Sequence, residues 1–81
     1  MERKIFDMNL SVEAVSLFLI LEDLEATGGR LTREACLERW NAPAEALDRA
    51  IEELRVQQVV DEAGGVLAMR PAGEWLEAKE A

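Results

Sequence analysis

The chain has 81 residues, room for one small domain, and a domain of that size buries only about 60% of the surface its unfolded chain exposes. Seventeen acids against nine bases give a net charge of −8, so the mean field repels phosphate backbones and anionic membranes, and nucleic-acid binding would require a local basic patch. With no His, no Tyr and a single Cys, the chain also lacks most residues on which acid–base, nucleophilic and metal chemistry rest.

Residues 1–10, with the apolar run Ile5-Phe6-Asp7-Met8, read as an N-terminal arm or edge strand. Ser11 can cap a helix, and VEAVSLFLILEDLEAT continues it to Gly28-Gly29, so a helix is expected over 11–27. At about 100° per residue its apolar side chains fall in two stripes. Val12, Val15 and Leu19 make one, Leu17, Ile20, Leu21 and Leu24 the other, and Phe18 lies at the edge between them. A helix that is apolar nearly all round needs burial on both sides.

Thr32 can cap a shorter helix over 32–40, with Ala35, Cys36, Leu37 and Trp40 turned inward. Asn41-Ala42-Pro43 breaks it, and Pro43 suits the first turn of a third helix over 43–58. That helix is amphipathic: Ala46, Leu47, Ala50, Ile51 and Leu54 face in, while Glu45, Asp48, Arg49, Glu52, Glu53 and Arg55 face out. The period then changes, and apolar residues on both sides of Gly64-Gly65 predict a hairpin over 59–70 whose turn needs positive backbone angles. After Pro71 a last short helix is expected over 72–80, anchored by Trp75 and Leu76. The fold class is thus mainly α with a small β-hairpin, an α+β arrangement.

Three helices and a hairpin, with ALDRAIEELRVQQVV in the third position, resemble the winged-helix superfamily, whose second helix-turn-helix element shows an apolar-x-Arg-apolar-apolar rhythm before the first wing strand. The tail RPAGEWLEA is similar to the segment after the wing in small bacterial regulators of the MarR and PadR kind. The resemblance covers residues 11–81 and implies a three-helix core, a two-stranded wing, a bacterial source and a regulatory role. Two features depart from the pattern. Gln57-Gln58 stand where a glycine often precedes the wing, and the surfaces that would meet DNA are acidic: four acids and two bases on the third helix, and Asp61-Glu62 in the wing.

These residues support two functions. The preferred one is a non-enzymatic protein-interaction module. One stripe of the first helix faces the core and the other needs a cover, supplied by a second copy or by Ile5, Phe6, Met8 and the closing helix of the same chain. The reading taken is a homodimer with Val12, Val15, Phe18 and Leu19 as shared surface and Trp75 and Leu76 as anchors. An acidic face of Glu45, Asp48, Glu52, Asp61 and Glu62 could also meet a basic protein. The alternative is a DNA-binding regulator using the third helix and the wing, with Arg30, Arg33, Arg39, Arg49 and Arg70 on phosphates. Acids such as Glu34, Glu38, Glu45 and Glu53 stand close enough in sequence to pair with them.

Neither catalytic residues, cofactor nor metal is expected. Cys36, inward on its helix, reads as packing, and Trp40 and Trp75 as core. The lone cysteine, the absence of a secretory pattern behind MERKIF and a longest apolar run of only Leu17 to Leu21 point to a cytoplasmic protein without a membrane span.

Overall fold

The computed structural model describes residues 5–6 and 8–75. Three helices, α1 (Val12–Ala26), α2 (Arg33–Glu38) and α3 (Ala44–Val56), precede strands β1 (Val60–Ala63) and β2 (Val66–Met69) and a 3-10 turn at Ala72–Glu74. The described residues are mixed α/β, with three helices and one antiparallel two-stranded hairpin.

Local chemistry sets the boundaries. Ser11 is extended, and its Oγ accepts the Ala14 amide at 3.1 Å; Thr32 does the same for Ala35 at 3.1 Å. Pro43 occupies the cap position of α3 instead of its first turn, and it offers no side-chain acceptor. Helices α1 and α3 end alike. In α1 the Gly28 amide donates to Glu25 O (3.2 Å) and the Gly29 amide to Leu24 O (2.8 Å); in α3 Gln58 donates to Arg55 O (3.0 Å) and Val59 to Leu54 O (2.9 Å). Both are the paired closure that requires a left-handed residue just past the cap. Gly28 fills that place at φ 76°, and Gln58 fills it at φ 62° despite its side chain. The glycine that the family resemblance leads one to expect is thus replaced by a strained glutamine in the glycine conformation.

The hairpin pairs Val60 with Met69 and Ala63 with Val66, and Gly64 and Gly65 turn it at φ 59° and 83°. Both positive angles match a type I′ turn, whose twist suits flanking strands. The Glu62 carboxylate accepts the Gly65 amide at 3.0 Å. On the other edge of β2, the Leu67 amide donates to Leu31 O (2.6 Å) and the Arg33 amide to Gly65 O (3.0 Å), with Thr32 bridging Val66. The segment before α2 thereby lies along β2, a pairing with no signal in the sequence pattern.

The core collects Ala14, Leu17, Phe18, Leu21 and Leu24 of α1, Cys36 of α2, and Ala46, Leu47, Ala50 and Leu54 of α3. Val59, Val60 and Leu67 close one side, and Ile5, Met8 and Trp75 join from the chain ends. Burying a Leu, Ile or Phe side chain completely stabilises by about 1.5–3 kcal/mol, so these end segments are energetically part of the domain.

Several expectations are corrected here. Where an extended arm or edge strand is expected over 1–10, residues 5–6 lie in a 3-10 turn with Ile5 and Met8 buried, and residues 1–4 and 7 lie outside the described residues. Phe18, assigned to a shared surface, is fully buried, because it lies only about 60° from the axis of the α1 core face on a helical wheel. Trp75, assigned as an interface anchor, is 6% exposed; its ring meets Phe18 edge-on at 5.5 Å and its Nε1 donates to Arg70 O at 2.9 Å. Leu37 is 38% exposed instead of inward, because it lies about 100° round α2 from Cys36, the residue of that helix that the core takes up. Of the expected closing helix over 72–80, the described part is the turn at Ala72–Glu74 with Trp75 after it; residues 76–80, with Leu76, lie outside the described residues.

Candidate functional site

The first half of α1 meets the end of α2 and the loop after it across an open groove of about 400 Å³. Val12, Ser16, Leu19 and Ile20 form one wall, and Trp40 with Asn41 and Ala42 the other; Glu13 and Arg39 stand among them. Helical spacing explains the first wall: positions 12, 16, 19 and 20 rise on one side of α1, opposite Leu17, Leu21 and Leu24. Val12 is 80% exposed and Leu19 37%, an apolar display that the chain's own core leaves uncovered. Trp40 is half-buried, and its Nε1 donates to Pro43 O at 3.1 Å. That bond satisfies the polar edge of the indole and fixes the ring, leaving an apolar surface towards the groove.

Of the six residues assigned to an interface, Val12 and Leu19 line this groove, Val15 is half-buried beside it, Phe18 and Trp75 are in the core, and Leu76 lies outside the described residues. The stripe needing a cover is thus divided. Ile5, Met8 and Trp75 share the core with Phe18, whereas Val12 and Leu19 remain open. Trp40, expected as core, is half-buried: it packs against the core cluster and also lines the groove, a second role that the sequence reading lacks. The signal was the break at Asn41-Ala42-Pro43, which stops the chain from continuing over the ring.

The charged residues are largely occupied with one another. Arg33 grips Asp48 with two bonds, Nε to Oδ1 at 2.7 Å and a terminal nitrogen to Oδ2 at 3.1 Å. The hydrogen bond from Arg33 holds the Asp48 carboxyl below the usual carboxylate range, with the guanidinium charge adding to it against partial desolvation. Arg39 pairs with Asp23, Arg55 with Glu52, and Arg70 with both Asp61 and Glu74. Three of the five arginines considered for DNA, Arg33, Arg39 and Arg70, are therefore neutralised within the chain, while Arg30 and Arg49 make no ion pair with another described residue. The same pairs consume Asp48, Glu52 and Asp61 of the acidic face, and Glu62 is spent on the hairpin turn. Glu45 alone of that face has no partner among the described residues.

A smaller polar hollow of about 180 Å³ lies between the start of α1 and α3, lined by Ser11, Glu13, Arg49 and Glu53. The Glu53 carboxylate accepts the Ser11 amide at 2.8 Å and the Ser11 hydroxyl at 2.7 Å. Glu53, expected outward, thus seals the positive end of α1 and ties it to α3. Its bonds are all accounted for by the helix end. Among the described residues no group of three or more cysteine or carboxylate side chains is placed to hold a metal, and no helix is long and apolar enough to cross a membrane. Burial pushes the Cys36 thiol up, partly opposed by the charge of Arg39, which makes it a weak nucleophile in the folded chain.

No protein-family model matches the sequence, and no curated protein or solved structure is significantly similar to it.

Proposed function

We propose that this chain is a winged-helix domain that works as a protein-binding module, with the groove between α1 and the α2–α3 loop as its contact surface. The observation that carries the reading is the pairing of exposed Val12 and Leu19 with a Trp40 ring whose polar edge is already satisfied. Tryptophan is among the side chains that most often carry the binding energy between proteins, and apolar neighbours such as Val12 and Leu19 exclude water around it. The order helix, helix, helix, hairpin supports the winged-helix assignment, as does the Leu31–Arg33 segment, which bridges to β2 at Thr32 between the first two helices.

The DNA-binding reading rests on Arg30 and Arg49, the two considered arginines without an ion pair to a described residue. Two separated cations on a chain of net charge −8 give a weak field for phosphate. Titrating isotope-labelled protein with random duplex DNA at low salt separates the readings. The expected result is no movement of amide signals. Salt-sensitive shifts across residues 43–58 and 59–70 would overturn the proposal and restore DNA as the ligand.

A further inference from the structure

The groove also carries information about which kind of protein enters it, an inference that rests on the binding-module reading above. A second copy is the simplest occupant of an exposed helix face, and here the charges oppose it. The charged residues of α1 are Glu13, Glu22, Asp23 and Glu25, without a cation among them. Arg39, the cation lining the groove, is already bonded to Asp23. Two copies packed through α1 would bring carboxylates towards carboxylates or towards aliphatic side chains in either direction, with no cation of α1 to answer them. Of the large side chains expected at a shared surface, Phe18 and Trp75 are sealed inside the chain's own core, and the half-buried Trp40 is the ring left facing the groove.

We propose that the groove receives an amphipathic helix of a different protein, one that lays aliphatic residues against Val12, Leu19 and Trp40 and carries lysine or arginine along its flanks towards Glu13 and Glu22. The geometry suits such a ligand. Val12, Ser16 and Leu19 make a straight row along two turns of α1, with Ser16 leaving room between two aliphatic side chains, and the Trp40 ring gives the opposing wall. A partner helix crossing that row meets it with residues at i, i+3, i+4 and i+7, the spacing by which helices enter apolar grooves. Basic flanks meet an α1 whose charged side chains are all acids, with Arg49 of α3 the cation that shares a hollow with Glu13, and this excess of carboxylates favours encounter.

The test uses the full chain, isotope-labelled, and two synthetic helical peptides sharing one leucine face, the first with lysines and the second with glutamates on its flanks. The lysine peptide is expected to move the Trp40 indole signal and the amides of residues 12–20 and 39–42, saturably, and to weaken as salt rises. Leu19→Gln removes an exposed aliphatic contact without changing net charge and is expected to weaken that binding by about tenfold while leaving the fold and its spectrum otherwise intact. Equal binding of both peptides in the groove would overturn the basic-partner inference and leave the binding-module reading standing. So would a dimer in sedimentation equilibrium that Leu19→Gln dissociates, since the occupant would then be a second copy. Binding unaffected by Leu19→Gln, or shifts spread over the acidic surface outside the groove, would remove both the inference and the assignment of the groove.

Discussion

Gln58 offers the sharpest test of how this backbone is held. Its φ of 62° is the glycine conformation, occupied because the closure of α3 on Arg55 O and Leu54 O demands it. A residue with a Cβ in the left-handed region costs about 1–2 kcal/mol, and a glycine loses about 0.5–1 kcal/mol of additional chain entropy on folding. Gln58→Gly should therefore stabilise by about 0.5–1 kcal/mol net, raising Tm by about 2–8 °C for a domain of this length. No hydrogen bond of the Gln58 side chain to a described residue opposes the change. Gly28 supplies the reciprocal experiment. It sits at φ 76° in the same motif, and a Cβ there would meet nothing within 4 Å, so Gly28→Ala isolates the backbone cost and should destabilise by about 1 kcal/mol. Thermal and urea unfolding of the parent chain, Gln58→Gly, Gln58→Ala and Gly28→Ala give the comparison, with Gln58→Ala expected near the parent because it keeps the Cβ. If Gln58→Gly is no more stable than Gln58→Ala, the strain argument is refuted.

Other consequences can be measured on the same material. Removing Glu53 takes away the acceptor for both the amide and hydroxyl of Ser11, so Glu53→Ala should cost about 1–2 kcal/mol in urea unfolding and Glu53→Gln less; an unchanged midpoint for Glu53→Ala would show that the α1 cap does not depend on α3. Trp75→Ala should cost about 3–5 kcal/mol, whereas Val12→Gln, at a position 80% exposed, should cost under about 0.5 kcal/mol, the contrast between a core ring and an exposed side chain. Comparable losses from the two would place Trp75 outside the core. The Cys36 thiol is fully buried and its folded pKa is raised above the unfolded value, so its contribution to stability is complete below the ordinary cysteine range and is lost as pH rises through the folded value. Stability should accordingly fall in alkaline solution less steeply for Cys36→Ala than for the parent, and a thiol reagent should label native protein only at the rate of its opening.

What could be read in advance follows from the range of the interactions involved. Ser11, Thr32 and the Gly64-Gly65 turn act within four residues of themselves, and the three helices and hairpin were legible from them. The inward face of α3 was legible for the same reason, because Leu47, Ala50 and Leu54 recur at helical spacing on a helix with one polar side. Helix α1 was harder. With apolar residues nearly all round, periodicity could not decide which stripe the core would take, and that choice is made by packing partners outside the helix, Leu47, Ala50 and Leu54 of α3 together with Ile5, Met8 and Trp75. Glu53 on Ser11 and Leu31 on Leu67 are likewise bonds between distant residues, invisible to any local pattern. The groove was half legible: Val12 and Leu19 stood out as surplus apolar surface, but Trp40 became its wall only through the bond that turns its ring towards Pro43.

The strip formed by Leu31, Thr32 and Arg33 has a consequence for how this protein behaves at high concentration. A two-stranded ribbon exposes two open edges, each a template on which another chain can add a strand. Here the outer edge of β2 is covered by that strip, with amide bonds at both Leu67 and Arg33. The other edge belongs to β1, only four residues long and carrying Asp61 and Glu62 in succession. Short length and paired carboxylates both discourage edge-to-edge growth. The chain can thus display Val66 at its hairpin and an open apolar groove on α1 without inviting sheet-mediated polymerisation.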